Sequence, residues 1–263
     1  DRIDGDLMDA AGPQLKIISN YAVGFDNIDV KAATDRQIPV CNTPSDEVNE
    51  AVAEHTWALI LALARRIVEA DESIRRTGYK GWEPSVFLGN NLVGKTLGIV
   101  GLGRIGGMVA RRAKGYNMTV LYNKHERDEK AESELGVSFA ELDDLLAKSD
   151  FVSMHVPLTD ETRHMINADT LAKMKKGSFL INTARGPVVE EAALVEALRS
   201  GHLAGAGVDV FDNEPNISQE LVKMQNVVLT PHIASATYEA RNKMGEMAVA
   251  AILDTFSDKK PQN

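Results

Sequence analysis

The run Gly-Leu-Gly-Arg-Ile-Gly at residues 101–106 constrains this chain more than any other feature. A G-x-G-x-x-G match alone is weak. Here it directly follows the apolar run TLGIV (96–100) and opens the helix-like stretch RIGGMVARRAKG. Strand, glycine turn and helix in that order are the context in which the pattern binds a dinucleotide. Gly101 permits the tight turn, Gly103 lets the backbone approach a pyrophosphate, and Gly106 lets the helix lie close to the sheet. Leu102 and Ile105 complete the fingerprint, and Arg104 adds positive charge at the helix N-terminus, where free amides already favour phosphate.

The rest of the chain repeats that strand–helix rhythm. Short β-type runs are LKIIS (15–19), MTVLY (118–122), FVSMHV (151–156), SFLINT (178–183), AGVDVF (206–211) and NVVLT (226–230), with amphipathic stretches such as 105–114, 141–149 and 190–200 between them. The strands are apolar on both faces, as in a parallel sheet covered by helices on each side. The alternation predicts a doubly wound α/β fold. At 263 residues, the prior is one to two domains of roughly 150 residues. Lys+Arg 29 against Asp+Glu 38 leaves a net charge of −9, which argues against nucleic acid and anionic membrane as partners. The longest apolar run, Trp57–Ala64, is far short of the about 20 residues of a membrane span. The single cysteine, Cys41, excludes an intrachain disulfide and a cysteine-based zinc cluster. No signal peptide opens the sequence, so a cytoplasmic address is expected.

One stretch departs from the rhythm. Thr43-Pro44 reads as a helix start, with Thr43 as N-cap, and the helix is expected to run to about Arg76. The Gly-, Pro- and Asn-rich loop 77–94 follows, with exposed-looking Trp82 and Phe87. A long helix and loop of this kind suggest a domain connector or a dimer arm. Boundaries near 43 and 235 divide the chain into a dinucleotide-binding domain, 44–235, and a discontinuous smaller domain, 1–43 plus 236–263. The last helix, about 235–256, is expected to pack back onto the first segment.

The strand after the fingerprint ends at Tyr122, where an NAD site wants an acidic residue about 20 residues on. This chain has Lys124 there, flanked by His125, Glu126 and Arg127. A carboxylate would repel a 2′-phosphate and cations attract it, so NADP is expected over NAD despite Glu126, with NAD remaining possible. Three further strand ends carry charge: Arg185 after SFLINT, Asp209 and Glu214 at and after AGVDVF, and His232 after NVVLT. Ligands of open α/β sheets bind outside such strand ends. The other five histidines have plain readings as surface or satisfied core residues. No histidine–carboxylate pair shows metal-ligand spacing.

The motifs SNYAVGFDNID, GKTLGIVGLGRIG, SDFVSMHVPLT, INTARGPVVEEAAL, AGAGVDVFDNEP and NVVLTPHIASAT occur in this order across essentially the whole chain. With them the sequence resembles the D-isomer-specific 2-hydroxyacid dehydrogenases, within that family most closely the glyoxylate/hydroxypyruvate type. The resemblance implies a Rossmann cofactor domain, a smaller flavodoxin-like substrate domain and a homodimer contact through 77–94. It makes His232 the general acid/base, Glu214 its hydrogen-bond partner, and Arg185 the anchor of a 2-keto or 2-hydroxy acid. The amides of Val23 and Gly24, with Ser235, would also serve the substrate. Val156, Pro157, Thr183, Ala184, Arg185, Asp209, His232, Ile233 and Ala234 match cofactor-lining positions, with Asp209 reaching toward the nicotinamide.

The chemistry is coherent without the family. Keto-acid reduction needs a hydride donor, a carboxylate anchor and an acid. Arginine's planar fork suits the anchor. Histidine, near pKa 6.5 when unperturbed, suits the acid, and a neighbouring carboxylate favours its charged form. Two departures stand out. Ala234 replaces a frequent glycine, and the family's opening strand–helix–strand–helix segment has no counterpart before Asp1. The substrate domain is therefore expected to be N-terminally truncated, the chain being a fragment or a short version. A phosphoglycerate- or D-lactate-type dehydrogenase, or a dinucleotide-binding module without catalysis, remain the alternative readings.

Overall fold

The computed structural model describes residues 1–262, which fall into two units, residues 1–51 with 235–262, and residues 52–234. The smaller unit opens with α1 (Gly5–Ala11), β1 (Ile18–Ser19), α2 (Val30–Asp35) and β2 (Val40–Cys41). β1 and β2 pair in parallel, and Met8, Ile28 and Ala33 form the buried centre of this part.

The division between the units falls within the helix α3 (Asp46–Ala64), between Ala51 and Val52. Its cap is Ser45, whose Oγ accepts the Val48 N–H at 3.3 Å. Thr43, expected in that role, is buried with no partner for its hydroxyl. The expected single helix to Arg76 is in fact two, because α4 (Ile67–Thr77) starts anew after Arg66 takes a left-handed φ of 52°. Asn90 N–H donates to the Ala64 carbonyl at 2.7 Å, so the loop takes up an acceptor at the end of α3. Phe87 lies under the Arg66 guanidinium and is half-buried, whereas Trp82 is exposed as expected.

The larger unit continues with β3 (Thr96–Val100), α5 (Arg104–Ala113), β4 (Thr119–Asn123), α6 (Glu129–Leu135), β5 (Ser138–Phe139), α7 (Leu142–Lys148) and β6 (Phe151–Met154). It ends with α8 (Ala168–Lys173), β7 (Ser178–Asn182), α9 (Glu191–Arg199), β8 (Leu203–Val208), α10 (Gln219–Lys223) and β9 (Val227–Leu229). The seven strands form one sheet, all parallel, in the order β5-β4-β3-β6-β7-β8-β9. Strand order reverses between β3 and β6, the topological switch point of a doubly wound sheet.

Two separate apolar layers account for strands that are apolar on both faces. Leu97, Ile99, Phe151, Phe179 and Ile181 pack with α3 and α5 on one side. Val100, Val152, Met154, Leu180 and Val208 pack with α7, α8 and α9 on the other. Trp57 ties α3 to α5 by donating its indole N–H to the Val109 carbonyl at 3.1 Å.

The final helix, α11 (Tyr238–Phe256), belongs to the smaller unit. It packs on the first segment, where Ser19 Oγ donates to the Ala248 carbonyl and Tyr21 Oη to that of Arg241. Among the described residues no helix is long and apolar enough to cross a membrane.

Candidate active site

Strand register creates the site. Val100, Met154, Asn182, Val208 and Leu229 are successive partners across β3, β6, β7, β8 and β9. The residues immediately after them, Gly101, His155, Thr183, Asp209 and Thr230, therefore form the first row beyond the carboxyl edge of the sheet. Every strand-end residue singled out from the sequence lies in or just after this row.

At the switch point, Gly101 has φ +99°, a conformation L side chains rarely adopt, and a Cβ there would meet the His155 backbone. Gly103 precedes the first turn of α5, and a Cβ on it would meet no atom within 4 Å. Open space at Gly103, beside the free amides that open a helix, is the cradle a pyrophosphate needs. Gly106 is pressed against the Gly101 carbonyl, the close helix–strand approach expected of the third glycine. These features fit a dinucleotide. Leu102 is buried beneath the turn, while Arg104 sits exposed at the helix start.

Lys124, His125 and Glu126 are exposed in the turn after β4. The cationic cluster is smaller than the sequence suggests, because Arg127 is held bidentate by Glu132 at 2.8 and 2.9 Å. Glu132 also accepts from Tyr122 Oη, and Lys124 Nζ reaches Asp128 at 3.0 Å.

After β6, Val156 packs into the core and Pro157 is exposed. Burial pushes the neighbouring His155 imidazole down to about 4, and its Nε2 lies 2.9 Å from Ser153 Oγ. After β7, the buried Asn182 side chain closes the turn, accepting from Ala184 N–H and donating to the Arg185 carbonyl. Arg185 donates through Nη1 to the Ala184 carbonyl at 2.7 Å. The next residue, Gly186, approaches the Phe211 backbone so closely that a Cβ would overlap its carbonyl oxygen. The turn bearing Arg185 is thus seated on the loop bearing Glu214.

His232 Nδ1 is 3.0 Å from Glu214 Oε2, and Glu214 Oε1 accepts the Phe211 N–H at 3.0 Å. His232 has φ 54° and donates its N–H to the carbonyls of Asp209 and Thr230. A non-glycine residue in that region persists only where its surroundings fix it. Asp209 does so: Oδ1 accepts from Thr230 Oγ1 and Ile233 N–H, and Oδ2 from Ala234 N–H. Burial alone would raise this carboxyl, but hydrogen bonds from His55, Thr230 and the two amides hold it below the usual range. Asp209 has no exposed surface. It supports the turn from inside. Ala234 is likewise buried, leaving Ile233 and His232 as the exposed face of the turn.

The smaller unit orients two amides. Thr43 N–H donates to the Ala22 carbonyl, Asn42 Nδ2 to that of Val23 and Asn20 Nδ2 to that of Gly24. Because C=O and N–H point oppositely across a trans peptide, the Val23 and Gly24 amides face away from these partners. Ser235 lies in this unit as well.

Fingerprint, carboxylate-paired histidine and neighbouring arginine occupy one sheet edge, and comparison with known proteins agrees with that assembly. Residues 57–234 match the family described as D-isomer specific 2-hydroxyacid dehydrogenase, NAD binding domain. The chain belongs to the D-isomer-specific 2-hydroxyacid dehydrogenase family. It is 51% identical to a glyoxylate reductase of Thermococcus onnurineus, over 96% of this chain and 76% of the relative. A solved Thermus thermophilus structure superposes with a TM-score of 0.93 at 45% identity, covering 100% of this chain and 82% of that one. An NADPH-dependent glyoxylate/hydroxypyruvate reductase of Sinorhizobium meliloti, solved with NADP and malonate, gives 0.86 at 38% identity, covering 97% and 79%. Members of this family are nicotinamide-dependent oxidoreductases, and this chain carries the family's cofactor-binding domain.

Proposed function

We propose that this enzyme reduces a small 2-keto acid, glyoxylate or hydroxypyruvate, to the 2-hydroxy acid with NADPH, and that His232 donates the proton. The observation that carries the reading is the 3.0 Å pair of His232 Nδ1 and Glu214 Oε2, on the loops beside the Arg185 turn. The reduced nicotinamide supplies the hydride when bound. Arg185 holds the substrate carboxylate and turns the 2-carbonyl toward the histidine. Glu214 accepts from Nδ1–H, fixing the ring and leaving Nε2–H to protonate the oxygen that becomes the hydroxyl. His232 is half-exposed, as a group that exchanges protons with substrate and solvent must be.

NADPH is favoured by what stands after β4. Lys124 and His125 are exposed there, and the position corresponding to an NAD-selecting carboxylate is the lysine. The relatives named glyoxylate reductase support the substrate class. A homodimer is supported by the number of exposed large apolar residues on α4 and the following loop, including Ile67, Ile74, Tyr79, Trp82 and Leu88, since large exposed apolar surface marks interaction sites. Following NADPH oxidation with glyoxylate, hydroxypyruvate and pyruvate tests the reading. Saturable turnover with either of the first two supports it, and binding of NADPH without turnover on any of the three overturns it.

A further inference from the structure

His55 stands on α3, and the structure brings its imidazole to the turn that carries His232. Its Nε2 lies 3.0 Å from Thr230 Oγ1 and 3.5 Å from Asp209 Oδ1. The proton positions follow from donor inventory. A threonine hydroxyl has one proton, and at 2.6 Å from the Asp209 carboxylate it is spent on Oδ1. Thr230 Oγ1 therefore accepts from His55, which requires the proton on Nε2.

The adjacent residue acts on the neighbouring strand end. Thr56 Oγ1 donates to the Val52 carbonyl at 2.8 Å, so its 2.9 Å contact with Thr183 Oγ1 is one in which Thr183 donates. One turn of α3 thus braces the first residue beyond β7 and the paired first residues beyond β8 and β9.

We infer that His55 is a positioning residue for the proposed reaction, its Nε2–H holding Thr230 and Asp209 in the arrangement that fixes the left-handed turn bearing His232. Asp209 meets that turn through both its carboxylate and its carbonyl: the oxygens take Ile233 and Ala234 N–H, and the carbonyl takes that of His232. Removing the Nε2–H donor leaves the Thr230–Asp209 hydrogen bond in place but frees the pair to rotate together. The displacement reaches the imidazole through the backbone that this network helps to hold at φ 54°.

The inference rests on the reductase reading, and the experiment separates the two. Glyoxylate reduction is measured for the wild type, His55→Leu and His55→Gln, with imidazole resonances recorded on the 15N-labelled proteins. Glutamine places an amide donor near the Nε2 position; leucine keeps bulk without a donor. His55→Leu is expected to lose about 10- to 100-fold in kcat, the scale of a small misplacement of a catalytic group, with KM for NADPH little changed. His55→Gln is expected to recover most of that loss. In the wild type, His55 is expected to carry a proton on Nε2, and His232 resonances are expected to shift in the leucine variant and return in the glutamine variant. Wild-type kcat in His55→Leu, equal impairment in both variants, or an Nδ1–H tautomer would overturn the inference. If His55→Leu does not fold, the wild-type tautomer and the glutamine variant decide. Absence of turnover in the wild type overturns the reductase reading alone, since the His232 resonances report the geometry without catalysis.

Discussion

Glu214 bridges two hydrogen-bond partners with its two oxygens: Oε2 meets His232 Nδ1 at 3.0 Å and Oε1 takes the Phe211 N–H at 3.0 Å. The carboxylate is anchored to its own loop while it orients the imidazole on the next. Replacing His232 by Ala is expected to reduce kcat by about 10²- to 10⁴-fold, the range for loss of a general acid, with NADPH affinity retained. Loss of NADPH binding in parallel with kcat would instead make His232 a cofactor-site support.

Glu214→Gln keeps the volume of the bridge, but an amide has one oxygen where the carboxylate has two, so His232 Nδ1–H and the Phe211 N–H can no longer both be satisfied. The variant is expected to lose about 10-fold or more in kcat for glyoxylate reduction, the worth of a hydrogen bond to a charged group, with NADPH affinity little changed. A variant with wild-type kcat would contradict this role for Glu214.

Cofactor choice is predicted to rest on Lys124. Its Nζ lies 3.0 Å from Asp128, a contact exposed enough for a phosphate to replace. Lys124→Asp is expected to raise KM for NADPH by about 10- to 100-fold, the worth of a hydrogen bond to a charged group, and to leave NADH unharmed. Equal KM changes for the two cofactors would show that the lysine does not read the 2′-position.

Much of this was legible in the sequence because strand–glycine turn–helix and strand-end charge are local patterns. The fingerprint at 101–106, the seven-stranded parallel sheet's main strands and the residues Arg185, Glu214 and His232 at neighbouring strand ends all follow from contiguous motifs. The break at Arg66 was not legible. The apolar pattern runs to Ala64, and the left-handed turn after it depends on the loop residue Asn90 reaching the Ala64 carbonyl. Nor was the role of His55, which reads as one of several polar residues in the first half of α3. Its partners Thr230 and Asp209 lie far along the chain and meet it only once α3 is laid on the sheet. The cations after β4 look like a single cluster in the sequence because pairing of Arg127 with Glu132 needs α6 to fold back.

Gly186 joins the Arg185 turn to the Phe211 backbone with no room for a side chain. Gly186→Ala is expected to cost about 1–3 kcal/mol of stability by overpacking, and to lower kcat/KM for glyoxylate more than affinity for NADPH. Chemical denaturation and steady-state kinetics on the variant check both. A variant as stable and active as the wild type would mean the two loops separate readily.

The half-buried His155 gives the larger unit an acid sensitivity. Burial holds its imidazole at about 4, against about 6.5 in the unfolded chain. Between those values the unfolded state binds the proton and the folded state does not. The contribution is therefore complete above about pH 6.5 and lost as pH falls toward 4, in all about 3 kcal/mol. The urea midpoint should drop more from pH 7 to pH 4.5 in the wild type than in His155→Gln. Parallel decline in the two proteins would show that His155 does not carry this effect.

The most direct test is to follow NADPH oxidation at neutral pH with saturating glyoxylate, for the wild type and His232→Ala side by side. The account predicts saturable turnover in the wild type and near-complete loss in the variant at unchanged NADPH affinity. Comparable rates in the two proteins would contradict it, because the proton would then come from some other group.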